Sequence, residues 1–300
     1  MKPARNDEAG MILVNVLMFV AIAAGLVLLM IEREEMALDR SLRVREAAVA
    51  AAAVRGGEVS AIVALRRDQL VAPDTDSPSE PWGALAENKA PIAGGTFDLA
   101  ISDAEGKFNV NSLRSGAAMA SIMFDRLAEV AGIDHDTALK AVELVRAHGP
   151  FTDLRPLRFA GFDPATVARL EQLVTALPGE TAINLNTASP EVLAVLFRDP
   201  VIADRLVQVR ARQGFLTTKD LDDQNVTQPP GTSFRSNTFW VRTRATVGDT
   251  VQQGATLIQR SLDEQGVRRT VPVERWLGAA VPPDAPAFGQ GDGAVAARAG

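Results

Sequence analysis

Residues 11–31, MILVNVLMFVAIAAGLVLLMI, are 21 consecutive residues with one polar side chain, Asn15. A helix rises 1.5 Å per residue, so the run is about 31 Å long, the thickness of a bilayer's hydrocarbon core. The core helix of a water-soluble domain would carry a polar face at helical spacing, and this run has none. It is read as a membrane-inserting helix, so the remainder of the chain must hang from an anchored end.

Three processing routes fit such a start. An uncleaved signal anchor is one. A secretory signal peptide is another, because Ala21-Ile22-Ala23 is an A-x-A site, although Gly25 to Ile31 continue the apolar run beyond it. The third is a prepilin-type leader, cut on the polar side after Gly10 so that the apolar helix is kept. Residues 1–10, MKPARNDEAG, are short, charged and end in glycine, and the third route fits them best. Flanking charge does not decide orientation: Lys2 and Arg5 precede the run and Arg33, Arg40, Arg43 and Arg45 follow it, but long domains translocate regardless of such charges.

Beyond the run, residues 32–70 space Met36, Leu38, Leu42, Val49, Ile62 and Leu65 among Ala, Glu and Arg. The helix is expected to continue as a stalk, with a kink or break at Gly56-Gly57. The Pro-, Gly- and Ser-rich stretch 72–95 reads as a loop. Residues 96–102 alternate as a strand, 103–106 turn, and 107–110 offer a returning strand. Helices separated by short turns fill 112–228. Phe239, Val241, Thr243, Ala245 and Val247 then alternate strictly, and 254–262 and 266–276 supply two further strands. The Ala-, Gly- and Pro-rich residues 278–300 read as a disordered tail. The order gives an α+β fold in which a helical domain interrupts one antiparallel sheet, with the N-terminal helix as its cover.

The helical region contains a duplication. Phe108-Asn109-Val110-Asn111-Ser112 recurs 75 residues later as Ile183-Asn184-Leu185-Asn186-Thr187. Each copy is followed by helices and then by Gly149-Pro150-Phe151 or Gly214-Phe215. Thr187 or Ser189 can cap a helix starting near Pro190, and the Asn side chains can tie down the approaching loop. The unit resembles the helix-hairpin-helix repeat of competence-type DNA receptors, whose hairpin glycines bring backbone N–H groups to a phosphate. Here the turns are Gly132-Ile133-Asp134 and Arg198-Asp199-Pro200. Proline lacks the N–H and aspartate repels phosphate. Residues 112–228 hold 12 Lys and Arg against 15 Asp and Glu, and the whole chain carries a net charge of −6. No nucleic-acid partner is expected.

Catalysis is not expected either. The chain has no Cys and only His135 and His148. That removes disulfides, thiolate metal sites and a Cys nucleophile, and leaves little for a multi-histidine centre. His148 suits a helix C-terminus, and His135 lies in an exposed Asp134-His135-Asp136 turn. Neither G-x-S-x-G nor H-E-x-x-H occurs, and Gly106-Lys107 lacks the P-loop pattern.

Taken together, Gly10-Met11, the apolar helix, Ile101-Ser102-Asp103-x-x-Gly106-x-Phe108-Asn109-Val110-Asn111, Ile183-Asn184-Leu185-Asn186-Thr187-Ala188, the helical insert and the closing β segment Ser236 to Thr246 resemble the K-type minor pseudopilin family of type II secretion, general secretion pathway protein K. The likeness covers about residues 1–276 and rests on the combination. It implies a pilin-like fold: a leader at 1–10, a transmembrane or filament-core helix at 11–31, a first pilin-like part at 32–111, an all-α insert with two helix-hairpin-helix-like units at 112–230, a second pilin-like part at 231–277, and the tail. It implies prepilin peptidase cleavage between Gly10 and Met11, with N-methylation of Met11. Met11, Leu13, Val14, Asn15, Leu17 and Phe19 would then lie in the filament core. Asp103, Gly106, Asn109, Asn111, Asn184, Asn186 and Thr187 would be structural motif residues.

The implied role is non-enzymatic: initiating or capping the pseudopilus at its tip, in a single-pass inner-membrane protein with a periplasmic head. The implied partners are the I-type and J-type minor pseudopilins, the major pseudopilin, the inner-membrane assembly platform and prepilin peptidase. Major pseudopilins carry Glu at the fifth mature position, where this chain has Asn15. A subunit with nothing above it does not need that Glu, and Asn costs less in lipid. Some relatives bind calcium in the helical domain. Calcium takes six to eight oxygen ligands, and Asp220, Asp222 and Asp223, near Gln224 and Asn225, are the densest acidic cluster there. The alternative readings are a membrane-anchored helix-hairpin-helix nucleic-acid receptor and a minor pilin of a type IV pilus or competence filament.

Overall fold

The computed structural model describes residues 7–72 and 74–289, with side chains from Leu13 onward. The first six residues of the expected leader and residues 290–300 of the expected tail lie outside it. Helix α1, Asp7–Val71, runs 65 residues, about 98 Å at helical rise. Its C-terminal half buries Ala50, Gly57, Ala61, Leu65 and Asp68, which recur at helical spacing on one face. The break expected at Gly56-Gly57 does not occur. A Cβ on Gly57 would lie 2.5 Å from Phe97 Cζ and 2.8 Å from Thr243 Cγ2, so this glycine lets the helix approach the sheet. That packing outweighs a helix-propensity cost of about 1 kcal/mol.

Strands β1 (Glu87–Ile92) and β2 (Gly95–Asp103) follow, then β3 (Phe108–Asn109). The helical region contains α2 (Ala118–Val130), α3 (His135–His148), α4 (Pro164–Leu170), β4 (Val174–Thr175), β5 (Ile183–Asn184), α5 (Pro190–Phe197), α6 (Pro200–Gln213), α7 (Thr218–Asp223) and β6 (Thr232–Ser233). Strands β7 (Thr238–Val247), β8 (Thr250–Leu262) and β9 (Arg268–Leu277) complete the chain's main elements. Five strands form one antiparallel sheet in the order β1-β2-β7-β8-β9. Strands β2 and β7 are neighbours, with Asp103 opposite Phe239. Everything between them in sequence therefore leaves and re-enters the sheet at one end of two adjacent strands. The expected arrangement, a long helix on an antiparallel sheet with a helical insert, is the one found.

One face of the sheet packs on α1 through Leu99, Phe239, Val241 and Ile258, with Trp82 set edge-on to Phe239. The alternation read over 239–247 is real: Phe239, Val241, Thr243, Ala245 and Val247 are all buried. A second core fills the insert, centred on side chains such as Leu113, Phe124, Leu127, Leu170 and Leu193.

Three further sequence expectations are corrected. Residues 107–110 do not return along β2. Instead β3 pairs in parallel with β4, Phe108 opposite Val174, because the side chain of Asn109 bonds the backbone of Leu177 and draws the chain into the insert. The loop read over 72–95 ends in strand β1, whose Lys89 sits at φ 49 in a register shift. The buried carboxylate of Asp98 holds that bulge, accepting the Lys89 N–H at 2.9 Å. Finally, residues 278–289 of the expected tail are ordered against the sheet, where Ala285 is buried beside Trp240 and Leu257.

Candidate functional site: the apolar helix and the insert junction

Among the described residues, every position of α1 from Leu13 to Ile31 is exposed except Gly25, which is half-buried. Leu13 (61%), Val14 (64%), Leu17 (60%) and Phe19 (66%) are each more than half exposed, as is every other large apolar side chain from Val16 to Met30. Asn15 is exposed among them. Gly10 and Met11 lie within the helix backbone, and their surroundings fall outside the described side chains. By length and composition this part of the helix is long and apolar enough to cross a membrane.

The two Asn-x-Asn pairs occupy equivalent places. Asn111 Oδ1 accepts the Phe151 N–H at 2.8 Å while its Nδ2 donates to Phe151 C=O at 2.8 Å. Asn186 repeats this on Leu216, accepting its N–H and donating to its C=O. The preceding asparagines each accept the N–H two residues on, Asn109 from Asn111 and Asn184 from Asn186. All four are buried with their amides bonded, so each pair closes one unit by clamping a distant backbone segment. Phe151 ends the first recurrent glycine segment and Leu216 follows the second, so the repeat seen in the sequence is a repeat of hydrogen bonding.

The second pair also meets the sheet. Asp103, at the end of β2, accepts at Oδ2 from Asn184 Nδ2 (2.7 Å), Thr187 Oγ1 (2.6 Å) and Ser236 Oγ (2.6 Å). Its Oδ1 accepts the Glu105 N–H at 2.7 Å. Three bonded segments thus converge on one carboxylate. Gly106 permits the approach, because a Cβ there would lie 2.8 Å from Thr187 C=O. Burial raises the Asp103 pKa, against the pull of its Ser236 and Thr187 hydrogen bonds. Glu105 is pushed up to about 8, by burial first and then by the charge of Asp103.

Behind this junction lies an ion cluster that sequence reading missed. Arg260 of β8 is fully buried. Its Nη1 donates to Asp76 Oδ1, and its Nη2 donates to Asp68 Oδ2 and Leu65 C=O at 2.8 Å each. The guanidinium also lies 4.5 Å from the Phe239 ring centroid. Asp76 ties the insert in: its Oδ2 accepts the Ser236 N–H at 2.9 Å, and its C=O accepts from Asn184 Nδ2 at 2.8 Å. Desolvation raises Asp76 to about 7, against the attraction of Arg260. A signal did exist. Asp68 continues the buried α1 series of Ala61 and Leu65, and Arg260 shares the parity of Ile258, which packs on α1.

Among the described residues, Asp68, Asp76 and Glu80 are the one group of three carboxylates close enough to share a cation. Two of them already hold Arg260, and Glu80 accepts from Thr75 Oγ1 and Trp82 Nε1, so the resident cation is the guanidinium. The three calcium candidates are not brought together. Asp220 caps α7, its Oδ2 accepting the Thr217 N–H at 2.8 Å and hydroxyl at 2.7 Å. Asp222 and Asp223 point into solvent and do not converge with it.

The hairpin turns are closed to phosphate by the same kind of cap. Asp134 accepts the Thr137 N–H at the start of α3, and Asp199 accepts those of Val201 and Ile202 at the start of α6. The amides a phosphate would need are bonded to carboxylates. His135 pairs with Asp125 at 2.8 Å on the surface, with no nucleophile in its hydrogen bonds.

The chain matches the family described as "Type II secretion system (T2SS), protein K" over residues 183–241, from the second Asn pair into β7. It is 29% identical over 309 residues to the type II secretion system protein K of Pseudomonas aeruginosa, covering 86% of this chain and 91% of that protein. Its fold is similar, with a TM-score of 0.61, to a chain in the crystal structure of the GspK-GspI-GspJ complex from the enterotoxigenic Escherichia coli type 2 secretion system. That match covers 80% of this chain and 99% of the other at 19% identity, so the likeness is one of fold.

Proposed function

We propose that this homologue of type II secretion system protein K is a minor pseudopilin that stands at the tip of the pseudopilus and initiates or caps its assembly. The observation that carries the reading is the division of α1. One half is the packing partner of an antiparallel sheet, and the other half is an exposed apolar rod. The exposed half first anchors the protein as a single pass in the bacterial inner membrane, with the head in the periplasm. It then enters the bundle of apolar helices in the filament, beside the major pseudopilin. Prepilin peptidase cuts between Gly10 and Met11 and methylates Met11, which removes the charged leader from the end that must pack. Asn15 keeps a polar contact there without burying a carboxylate.

The I-type and J-type minor pseudopilins are the proposed partners, consistent with the complex in which the similar fold occurs. Delivery through the inner-membrane assembly platform belongs to the same reading. The protein works by packing, and no catalytic residue or cofactor is assigned to it. A nucleic-acid receptor is disfavoured by the Asp134 and Asp199 caps. A type IV pilus or competence pilin would differ in its partners. The full chain, purified in detergent with the I-type and J-type proteins of its own organism, is expected to elute with both as one complex in sizing with light scattering. Separate elution of all three would overturn the proposal.

A further inference from the structure

The insert is joined covalently to the sheet by two crossings, after Asp103 and before Thr238, which lie side by side at one end of β2 and β7. Two adjacent strands of chain make a hinge, and a hinge alone leaves a rotation free. The Asp103 and Asp76 hydrogen bonds tie down only the second Asn unit, through Asn184 and Thr187. The first unit meets the sheet through Leu177, buried with Trp240, Ala255 and Leu257, and the C-terminal segment adds its polar bonds to that contact.

After β9 the chain turns through Gly278–Ala280 and crosses the sheet face opposite α1. Ala285 is buried with Ala104, Leu177, Trp240, Ala255 and Leu257. The Pro286 C=O accepts from Arg242 Nη1 at 3.2 Å. The Phe288 ring lies 4.6 Å from each of the Arg242 and Arg244 guanidinium carbons. Between these anchors Asp284 reaches the insert. Its Oδ1 accepts from Lys107 Nζ at 2.8 Å and its Oδ2 from Thr175 Oγ1 at 2.9 Å. Lys107 Nζ also donates to Glu171 C=O at 2.6 Å, at the end of α4. Asp284 and Lys107 keep only 22% and 32% of their side-chain exposure, so the pair is shielded more than a surface ion pair.

We propose that residues 281–289 are a clasp that fixes the orientation of the helical insert on the sheet. Ala285 and Phe288 seat the clasp on the sheet, and Asp284 is the finger that holds the first unit through Lys107 and Thr175. Opening the clasp leaves both folded bodies intact and frees the insert to pivot about the paired crossings. In this arrangement residues 281–289 govern how the insert is presented relative to α1.

The chain has no cysteine, which makes paired labels unambiguous. Spin labels at Asp249→Cys, on the exposed β7–β8 turn, and Lys140→Cys, on the exposed face of α3, report the distance between sheet and insert in the full chain. The unaltered clasp is expected to give one narrow distance distribution. Asp284→Ala, Phe288→Ala and deletion of 281–300 are each expected to widen it about two-fold or more. Amide exchange in α2, α3 and α5 should stay unchanged in the same samples, while 171–177 exchanges about tenfold faster. If the deletion does not fold, the two point variants decide the matter, since each leaves the rest of the clasp in place. An unchanged narrow distribution in the folded variants overturns the proposal. So does a widening accompanied by faster exchange throughout the insert core, which would mean general unfolding.

Discussion

Replacing Glu105 by glutamine should remove a loss of stability that the protein suffers as pH rises toward 9. Glu105 is 2% exposed, and its Oε1 has no hydrogen-bond partner in the described structure. Burial and the neighbouring Asp103 raise its pKa from the ordinary 4.5 to about 8. A carboxyl whose folded pKa is raised holds its proton longer in the native state than in the unfolded chain. The stability it contributes is fully present below about pH 4.5 and is lost as pH rises through about 8. At about 1.4 kcal/mol per unit, that interval corresponds to roughly 5 kcal/mol. Glu105→Gln keeps the shape and removes the titration. The assay is urea denaturation of the full chain in detergent, from pH 4.5 to 9, for both proteins. Their stabilities should be similar at the acid end, and the variant should gain by several kcal/mol toward the alkaline end. Parallel curves across the range would refute the reasoning, because they would mean that Glu105 ionises in the folded protein as readily as in the unfolded one.

Other outcomes follow from the same geometry. Asn186→Ala frees the Leu216 N–H and C=O inside the protein, while the Phe234 C=O keeps the Asp76 N–H, and should cost roughly 2–4 kcal/mol in denaturant titration. Asn111→Ala, which frees both groups of Phe151 and leaves the Leu177 C=O with Asn109 Nδ2 alone, should cost a similar amount. Gly57→Leu drives a side chain into Phe97 and Thr243 and should destabilise by about 1–3 kcal/mol. Its neighbour tests the converse: Gly56→Ala meets nothing within 4 Å and should raise stability by up to about 1 kcal/mol. Arg260→Met leaves Asp68 and Asp76 without their counter-ion and should cost about 3–5 kcal/mol by thermal or chemical unfolding.

Local physics made much of the fold readable. The apolar run, the alternation from Phe239 to Val247 and the capped helices of the insert are patterns of burial and backbone bonding over a few residues. The Asn-x-Asn repeat was visible, but its meaning was not, because the clamped residues lie 40 positions away for Asn111 and 30 for Asn186. Strand β1 was hidden by Asn88, Lys89 and Pro91, which suit an edge with a bulge and look like a loop. The break expected at Gly56-Gly57 failed because only the approaching Phe97 shows what Gly57 is for. Residues 281–289 look like a tail by composition, and their order depends on Arg242, Arg244 and Lys107, far away in the chain. Arg260, Asp68 and Asp76 meet across 184–192 residues, a separation that no local pattern reports.

The central claim is that the apolar half of α1 is a pilin-type helix carried behind a removable leader. The direct measurement is the intact and N-terminal mass of the full chain, produced with and without prepilin peptidase. The account predicts a chain beginning at a methylated Met11 only when the peptidase is present. A chain that still begins at Met1 with the peptidase, or one that begins at Ala24, would contradict it.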